Sequence, residues 1–350
     1  MKIKILAILF LLCLELGYAE ENIETDYISG TFIQLNDSNS QKSRAEWSRI
    51  LEDMNEIGID TVIIQYSAYN QVSFFNTESS QYRLSTDNKN PIESILDKAD
   101  ELEMNVFIGL NLDERFNVTY NANQNIFEFN YNLENIIRES KSMLLNLYSR
   151  YKLDRRHDSF IGWYLPIEFN DANVIRSGHK KFRDDVVEYY ATLSKFAHDN
   201  TDLETMISPY FASSGSFTSH ERRDIYKYAQ WWNDILDDNR GDPNDQFLDI
   251  DIIAHQDSVG VGDISSEEAE RFFEILKPIF QENEVQFWSN NEAFKVTSNG
   301  FVPTSFIEFK KQIHATSKYV QKSIFFEFST YMKNENNPLY DDYKEYYEAW

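Results

Sequence analysis

The chain has 350 residues, of which 42% are hydrophobic and 15% aromatic, and this is ample material for a folded core, so wholesale disorder is excluded. Its 33 Lys and Arg against 58 Asp and Glu give a formal net charge of −25, which argues against a nucleic-acid-binding or peripheral membrane protein because such a surface repels phosphate groups. With only 11 Gly and 7 Pro, the chain is not a collagen-like or low-complexity sequence.

Residues 1–19 are typical of a secretory signal peptide. Two early lysines precede an apolar run over residues 5–14, and a small-x-small cleavage site ends at Ala19. This run is too short to span a membrane comfortably, and no later stretch is apolar enough to do so. The sequence therefore predicts export to the periplasm or the cell exterior, with residues 20–350 as the mature protein. Because the only cysteine, Cys13, lies in the signal, the mature chain has no disulfide and no cysteine zinc site.

One pattern recurs after the signal: a short β-branched or aromatic run ends in polar residues, and an amphipathic helix follows. Eight such runs predict strands over residues 29–36, 60–69, 105–113, 160–170, 203–211, 248–257, 285–294 and 322–332. Ser43 with Glu46 forms a capping box before one helix, and Pro91 stands at the first position of another. Eight alternating units favour a single-domain (β/α)8 barrel over residues 20–350. An open doubly wound sheet would normally show a glycine-rich turn after its first strand.

In such a barrel, chemistry gathers where the strands end and the following loops begin. The predicted strand ends carry amides, carboxylates and aromatic rings, and almost no Lys or Arg. Amides and carboxylates bind hydroxyl groups and ring faces pack on a pyranose, whereas a phosphorylated substrate needs basic groups. The sequence thus predicts a neutral or cationic carbohydrate ligand, bound by Gln34, Gln65, Tyr66, Tyr210, Gln256, Asp257 and Asn290.

Two glutamates stand out, Glu168 at the end of the fourth predicted strand and Glu292 at the end of the seventh. Cleavage of a glycosidic bond needs one protonated carboxyl group to assist the leaving oxygen. It also needs an ionised one to attack the anomeric carbon or to activate water. The apolar residues 163–166 before Glu168 favour the acid, and the amides of Asn290 and Asn291 are expected to stabilise an ionised Glu292. The alternative is a structural role for either glutamate, as a helix cap or an ion-pair partner.

The chain resembles the secreted bacterial family called domain of unknown function 4434, a glycosidase-like barrel family. The resemblance extends over nearly the whole mature chain, and among its matching stretches are GTFIQL, GWYLPIEFND, HQDSVGVG and FWSNNEAF. The two glutamates also resemble those of the large clan of retaining glycoside hydrolases on (β/α)8 barrels. This resemblance implies that Glu168 is the acid/base and Glu292 the nucleophile. In that clan an Asn that holds the substrate 2-hydroxyl usually precedes the strand 4 glutamate, whereas Ile167 stands there in this chain.

Other chemistries have weak sequence support. The six histidines show no metal-ligand spacing, no complete nucleotide-binding glycine motif occurs, and no G-x-S-x-G elbow appears, so no metal or cofactor is expected. Asp257 and Glu327 are reserve partners for Glu168, and His255 fits a core histidine better than a sugar ligand. The leading hypothesis is an exported, monomeric glycoside hydrolase-like enzyme. A glycan-binding barrel that cuts nothing is the alternative, favoured by Ile167, and a purely structural protein would lack a polar cavity at the strand ends.

Overall fold

A computed structural model describes residues 26–77, 81–85, 89–116, 118–121, 126–129, 131–176, 179–213, 216, 223–237, 247–333 and 337–349. The expected signal peptide and its cleavage site lie outside the described residues, and export stays a prediction. Among the helices that the structure does describe, none combines the length and the apolar character that a membrane crossing requires.

Eight parallel strands of the described chain close into a barrel, which confirms the predicted fold class. In chain order they are β1 Gly30–Ile33, β2 Thr61–Ile64, β3 Asn105–Gly109, β4 Phe160–Tyr164, β5 Glu204–Ile207, β6 Ile252–Gln256, β7 Gln286–Glu292 and β8 Lys322–Phe326. Each strand pairs with the next along the chain, and β8 pairs with β1 to complete the ring. The C-terminal ends of all eight strands therefore surround one mouth.

Amphipathic helices pack around this ring. The longer ones in the described chain are α1 Arg44–Glu56, α2 Pro91–Leu102, α3 Leu133–Tyr148, α4 Lys180–Asn200, α5 Ile225–Leu236, α6 Ser266–Glu282, α7 Phe306–Ser317 and α8 Leu339–Glu348. The predicted start signals are present: Ser43 and Glu46 form the capping box of α1, and Pro91 is the first residue of α2. Shorter elements are the helix Asp171–Ile175, 3-10 turns at Asn39–Gln41 and Glu114–Phe116, and π-helical turns at Ser149–Asp154 and Phe328–Met332.

The core has two apolar layers, one inside the ring and one between the ring and the helices. Successive side chains of a strand point to opposite faces, so a strand buried on both faces is apolar throughout its length. The inner layer contains Phe32, Ile63, Phe107, Tyr164, Met206, Ile252, Ala254, Trp288 and Ile324. Edge-to-face contacts such as Phe107 with Trp288, with ring centroids 6.0 Å apart, fill the barrel. Because the interior is packed, a ligand reaches the strand ends from the mouth.

Several predicted strands run past the barrel into smaller sheets at its mouth. The run 60–69 leaves the barrel after Ile64, and the run 285–294 leaves it after Glu292. One small sheet contains the strands Ala68–Tyr69, Val72–Ser73, Arg83–Leu84 and Asn111–Leu112. Two hairpins are also present, one formed by Val118–Asn121 and Ile126–Phe129 and the other by Phe294–Thr297 and Gly300–Pro303. Apolar periodicity continues through each bend, which explains why the sequence pattern does not locate it.

His198 at the end of α4 joins two aspartates at the end of the barrel opposite the mouth. Its Nδ1 lies 2.9 Å from Asp249 Oδ2 and its Nε2 lies 2.9 Å from Asp251 Oδ2. The hydrogen bond to Asp251, aided by that to Asp249, raises the pKa of His198 to about 9. The resulting stabilisation is complete below the unfolded-state pKa near 6.5 and is lost as the pH rises through about 9.

We expect His198→Gln to lower the free energy of unfolding by about 1 kcal/mol or less near pH 6, because the pair is partly exposed and screened by solvent. Near pH 10 the difference from the wild type should have shrunk, since the wild-type imidazole is then neutral. Urea unfolding at several pH values measures this. A deficit that stays the same from pH 6 to pH 10 contradicts the account.

Candidate active site

A cavity of about 540 Å³ opens at the mouth of the barrel, above the C-terminal ends of β2 to β7. Its volume lies within the range of about 300–1,000 Å³ that is typical of small-molecule sites. The polar groups lining it include Gln65, Glu168, Tyr210, Gln256, Asp263 and Glu292. None of its described lining residues is Lys or Arg. A polar cavity at the strand ends argues against the purely structural alternative.

Glu168 lies on the loop that follows β4, and its side chain is exposed to the cavity. This loop is held at both ends, since the Tyr190 hydroxyl donates to the Ile167 carbonyl and the Asn170 side chain accepts the Asn173 N–H at 3.0 Å. Although the side chain is open to the cavity, protein atoms surround the carboxyl group. That burial raises the pKa of Glu168 to about 7, although the side chains of Gln256 and Tyr164 favour the ionised form. Glu168 is thus matched to proton transfer near neutral pH.

Glu292 is the last residue of β7 and is 3% exposed. The Val261 N–H donates to its Oε2 at 2.7 Å, so a loop after β6 fixes the carboxyl group at the cavity wall. Burial, reinforced by the charge of Asp257, raises the pKa of Glu292 well above its ordinary value. Glu168 and Glu292 therefore line the same cavity from strands on different sides of the ring.

The expectation that Asn290 and Asn291 stabilise an ionised Glu292 is wrong. The Asn290 amide donates to Ser208 Oγ at 3.0 Å, and the Asn291 amide donates to Asp257 Oδ2 at 2.9 Å. Consecutive residues of a strand point to opposite faces, so Asn291 points away from the barrel interior. Backbone N–H groups take the place of those amides at Glu292.

Asp257, expected to bind substrate, lies behind Glu292 and is fully buried. It accepts hydrogen bonds from the Asn291 amide at 2.9 Å and the Val259 N–H at 3.1 Å. Oriented with its nitrogen towards them, the Gln312 amide donates to Asp257 Oδ2 at 3.1 Å and to the Glu292 carbonyl at 2.9 Å. Burial raises the pKa of Asp257 to about 6. Asp257 thus braces the loop that holds Glu292, and repulsion between the two carboxylates discourages their joint ionisation.

The other predicted sugar-binding residues fall into two groups. Three line the cavity, namely Gln65, Tyr210 and Gln256. The remaining ones are set back from it: Gln34 donates to the Gln65 side chain at 2.8 Å, Tyr66 is 5% exposed, and Asn290 is 2% exposed. The ring of Tyr66 stacks on Tyr69 at a centroid distance of 5.0 Å, which accounts for its burial.

His255 is a core residue, as the sequence favours. It is fully buried, stacks on Phe211 with centroids 4.1 Å apart, and its Nε2 lies 3.1 Å from the Tyr228 hydroxyl. Burial lowers the pKa of His255 to about 3, so the ring is neutral. Within the part of the chain that the structure describes, no group of three or more His, Cys, Asp or Glu could hold a metal ion.

Two polar residues of the cavity lining, Asp263 and Asn173, are not predicted from the strand ends. Asp263 lies seven positions beyond the end of β6, and Asn173 lies in the short helix after β4, so neither is at a strand end. The remaining signal for Asn173 is its capping box with Asn170, which predicts a helix start and not a ligand. Residues so far from the strands reach the cavity only because their loops fold back over the mouth.

Gly260 approaches Glu292 too closely to tolerate a side chain. A Cβ on Gly260 would lie 2.2 Å from the Phe294 carbonyl oxygen and 2.7 Å from Glu292 Cβ. We expect Gly260→Ala to displace the loop or Glu292 and to reduce turnover by about tenfold or more, since small misplacements of reacting groups are costly. Gly300→Ala is the control: a Cβ there meets no heavy atom within 4 Å, and the strain of its φ of +97° falls on a hairpin turn whose Gly300 does not line the cavity. Initial rates of glycan hydrolysis measure both, and equal rates for the two variants contradict the role given to Gly260.

Comparisons with known proteins identify a matching family and several solved structures with a similar fold. The family described as domain of unknown function (DUF4434) matches residues 28–339. No curated protein matches the chain. Among solved structures, a Bacteroides thetaiotaomicron VPI-5482 protein provisionally described as an alpha-L-fucosidase has a TM-score of 0.69 and 24% identity, covering 92% of this chain and 95% of its own.

Two more distant structures show the same fold. A family 1 β-glucosidase from Thermotoga maritima has a TM-score of 0.51 and 12% identity, covering 93% of this chain and 98% of its own. The AHE enzyme from Alicyclobacillus herbarius has a TM-score of 0.53 and 8% identity, with the same coverages of 93% and 98%. At such identities the similarity establishes only the barrel architecture, and the activity has to be argued from the residues of the site.

Proposed function

Because the chain belongs to the DUF4434 family and folds as a glycosidase-like (β/α)8 barrel, we propose that it is an exported, monomeric glycoside hydrolase acting on a neutral or cationic glycan. The observation that carries the proposal is the presence of Glu168 and Glu292 in the wall of one polar cavity at the barrel mouth. Three carboxyl side chains and no Lys or Arg among the described lining residues disfavour an acidic glycan. The described glycosidase activities of two similar structures fit this assignment.

In the proposed reaction, Glu168 donates its proton to the glycosidic oxygen as the bond to the anomeric carbon breaks. With a pKa of about 7, it is substantially protonated at neutral pH and still acidic enough to give the proton up. If Glu292 attacks the anomeric carbon directly, Glu168 then takes a proton from the water that hydrolyses the glycosyl-enzyme intermediate.

Glu292 attacks the anomeric carbon, or activates a water molecule, in its ionised form. The Val261 N–H stabilises that form, and the positive charge that develops on the sugar ring stabilises it further. Burial raises the pKa of both glutamates. Only a fraction of the resting enzyme therefore carries the reactive protonation state, in which Glu168 is protonated and Glu292 is ionised. The stereochemistry of the product distinguishes direct attack, which retains the anomeric configuration, from water activation, which inverts it.

The experiment is to incubate the protein with a panel of neutral and amino-sugar polysaccharides and to measure released reducing ends. The double variant Glu168→Gln with Glu292→Gln is the matched control for contaminating activities. Release by the wild type alone supports the proposal. No release from any member of the panel by the wild type speaks against catalysis.

A glycan-binding barrel without catalysis is the second candidate, and Ile167 favours it. This side chain lines the cavity where the similar clan carries a sugar-binding amide, and it offers no hydrogen bond to a hydroxyl group. Saturable binding of a glycan that is never cut, unchanged in the double variant, would favour this candidate over the enzyme.

A further inference from the structure

The cavity has an apolar side as well as a polar one. Six apolar residues line it, and five of them lie together: Leu112, Phe116, Pro166, Ile167 and Phe182, with Val261 apart from them on the loop after β6. Of the five, the first two follow β3, the next two follow β4, and the last lies in the first turn of α4. Since β3 and β4 are neighbours in the ring, their loops form one continuous side of the mouth. The same β4 segment also contributes Glu168, Asn170 and Asn173, and polar residues that follow β2, β5, β6 and β7 line the remainder.

This apolar side is fixed in place. The Phe116 ring stacks on Tyr131 with centroids 6.1 Å apart, and the Ile167 carbonyl accepts the Tyr190 hydroxyl. Phe116, Ile167 and Phe182 are 3%, 5% and 1% exposed, so each presents only an edge to the cavity while its body packs in the core. This packing holds their apolar edges at the cavity wall.

Ile167 and Glu168 line the same cavity from adjacent positions of one loop, so we expect a sugar whose glycosidic oxygen meets Glu168 to place one substituent near Ile167. A hydroxyl group in that position exchanges its hydrogen bonds with water for contact with aliphatic carbon, which is unfavourable. A methyl group in the same position removes apolar surface from water on both partners.

We propose that the cavity selects a sugar ring that presents a methyl group, carried either by a 6-deoxyhexose or by the acetamido group of an N-acetylhexosamine. The inference rests on the proposed function for the orientation of the sugar at Glu168. It adds the class of sugar, which the two catalytic carboxyl groups do not specify.

The test uses phenyl thioglycosides, whose sulfur linkage resists hydrolysis, in matched pairs. Fucosides and galactosides of the D and L series differ in the 6-hydroxyl group, and N-acetylglucosaminide and glucoside differ at position 2. Dissociation constants from calorimetry are compared for the wild type, Ile167→Asn, Leu112→Asn and the control Ile307→Asn, whose residue is 69% exposed on α7. Leu112 is only partly buried, so its variant keeps the test informative if Ile167→Asn does not fold.

We expect the methyl-bearing member of one pair to bind the wild type about tenfold or more tightly than its partner, as one methyl contact allows. The pair that shows the preference identifies the source of the methyl group. The preference should be lost in Ile167→Asn and Leu112→Asn and kept in Ile307→Asn. Equal binding within every pair, or no binding at all, overturns the proposal.

Binding and hydrolysis separate this inference from the function on which it rests. A methyl preference in binding with no release of reducing ends from any glycan supports the inference and contradicts the hydrolase. Hydrolysis of an unsubstituted hexose polymer in preference to methyl-bearing glycans supports the hydrolase and contradicts the inference.

Discussion

Replacing Glu168 by Gln should reduce the turnover of an unactivated glycoside by 10²-fold or more, because the leaving oxygen then receives no proton. Glutamine keeps the size of the side chain, and this side chain is open to the cavity, so the fold should be unaffected. The wild type should lose activity as the pH rises through about 7, where Glu168 gives up its proton, and this alkaline decline should be absent from the variant.

Leaving groups of different acidity provide the control for this prediction. A dinitrophenolate departs without protonation, so Glu168→Gln should slow the first step of a dinitrophenyl glycoside far less than that of a methyl glycoside. Rates for both substrates across pH values give the comparison. An equal loss for both leaving groups, with the alkaline decline retained, would show that Glu168 is not the acid.

Replacing Glu292 by Gln should abolish turnover for good and poor leaving groups alike, again by 10²-fold or more, because the amide neither attacks the sugar nor activates water. The same substitution should stabilise the protein. The folded-state pKa of Glu292 lies above its unfolded value, because of burial and then Asp257, so the free energy of unfolding falls as the pH rises between the two. Removing the titrating group removes that fall, so the variant should be more stable than the wild type near pH 8.

Thermal and urea unfolding at several pH values check the second half of this prediction. Glu345→Gln, on the exposed side of α8, is the matched substitution and should change neither turnover nor stability. A Glu292→Gln variant that is inactive and also less stable than the wild type above pH 6 would mean that Glu292 has a structural role. Loss of a carboxylate that stabilises the fold lowers the free energy of unfolding.

The barrel and the positions of the two glutamates follow from local sequence features. Strand β4 is apolar on both faces and Glu168 follows it, whereas Glu292 is the last residue of β7, whose apolar Phe287 and Trp288 precede a polar end. Closing eight parallel strands then brings their ends to one mouth, whatever the loops do. The capping box of Ser43 and Glu46 is local in the same way and marks the start of α1 correctly.

The finer arrangement of the site depends on contacts between distant segments. Asp257 is drawn behind Glu292 by Asn291 and Gln312, which lie 34 and 55 positions away along the chain. The backbone N–H of Val261 serves Glu292 across 31 positions. The residue types at a strand end do not show which distant segment will pack against that end. For this reason the expected roles of Asp257 and Asn291 differ from the observed ones.

The central claim is that Glu168 and Glu292 act on one sugar held between them in the cavity. A crystal structure with a bound thioglycoside tests this most directly. The account predicts the sulfur within hydrogen-bond reach of Glu168 and the anomeric carbon facing the Glu292 carboxyl group, with the two carboxyl groups about 5–10 Å apart. A sugar bound elsewhere on the protein, or a cavity in which the two groups reach different ligands, would contradict it.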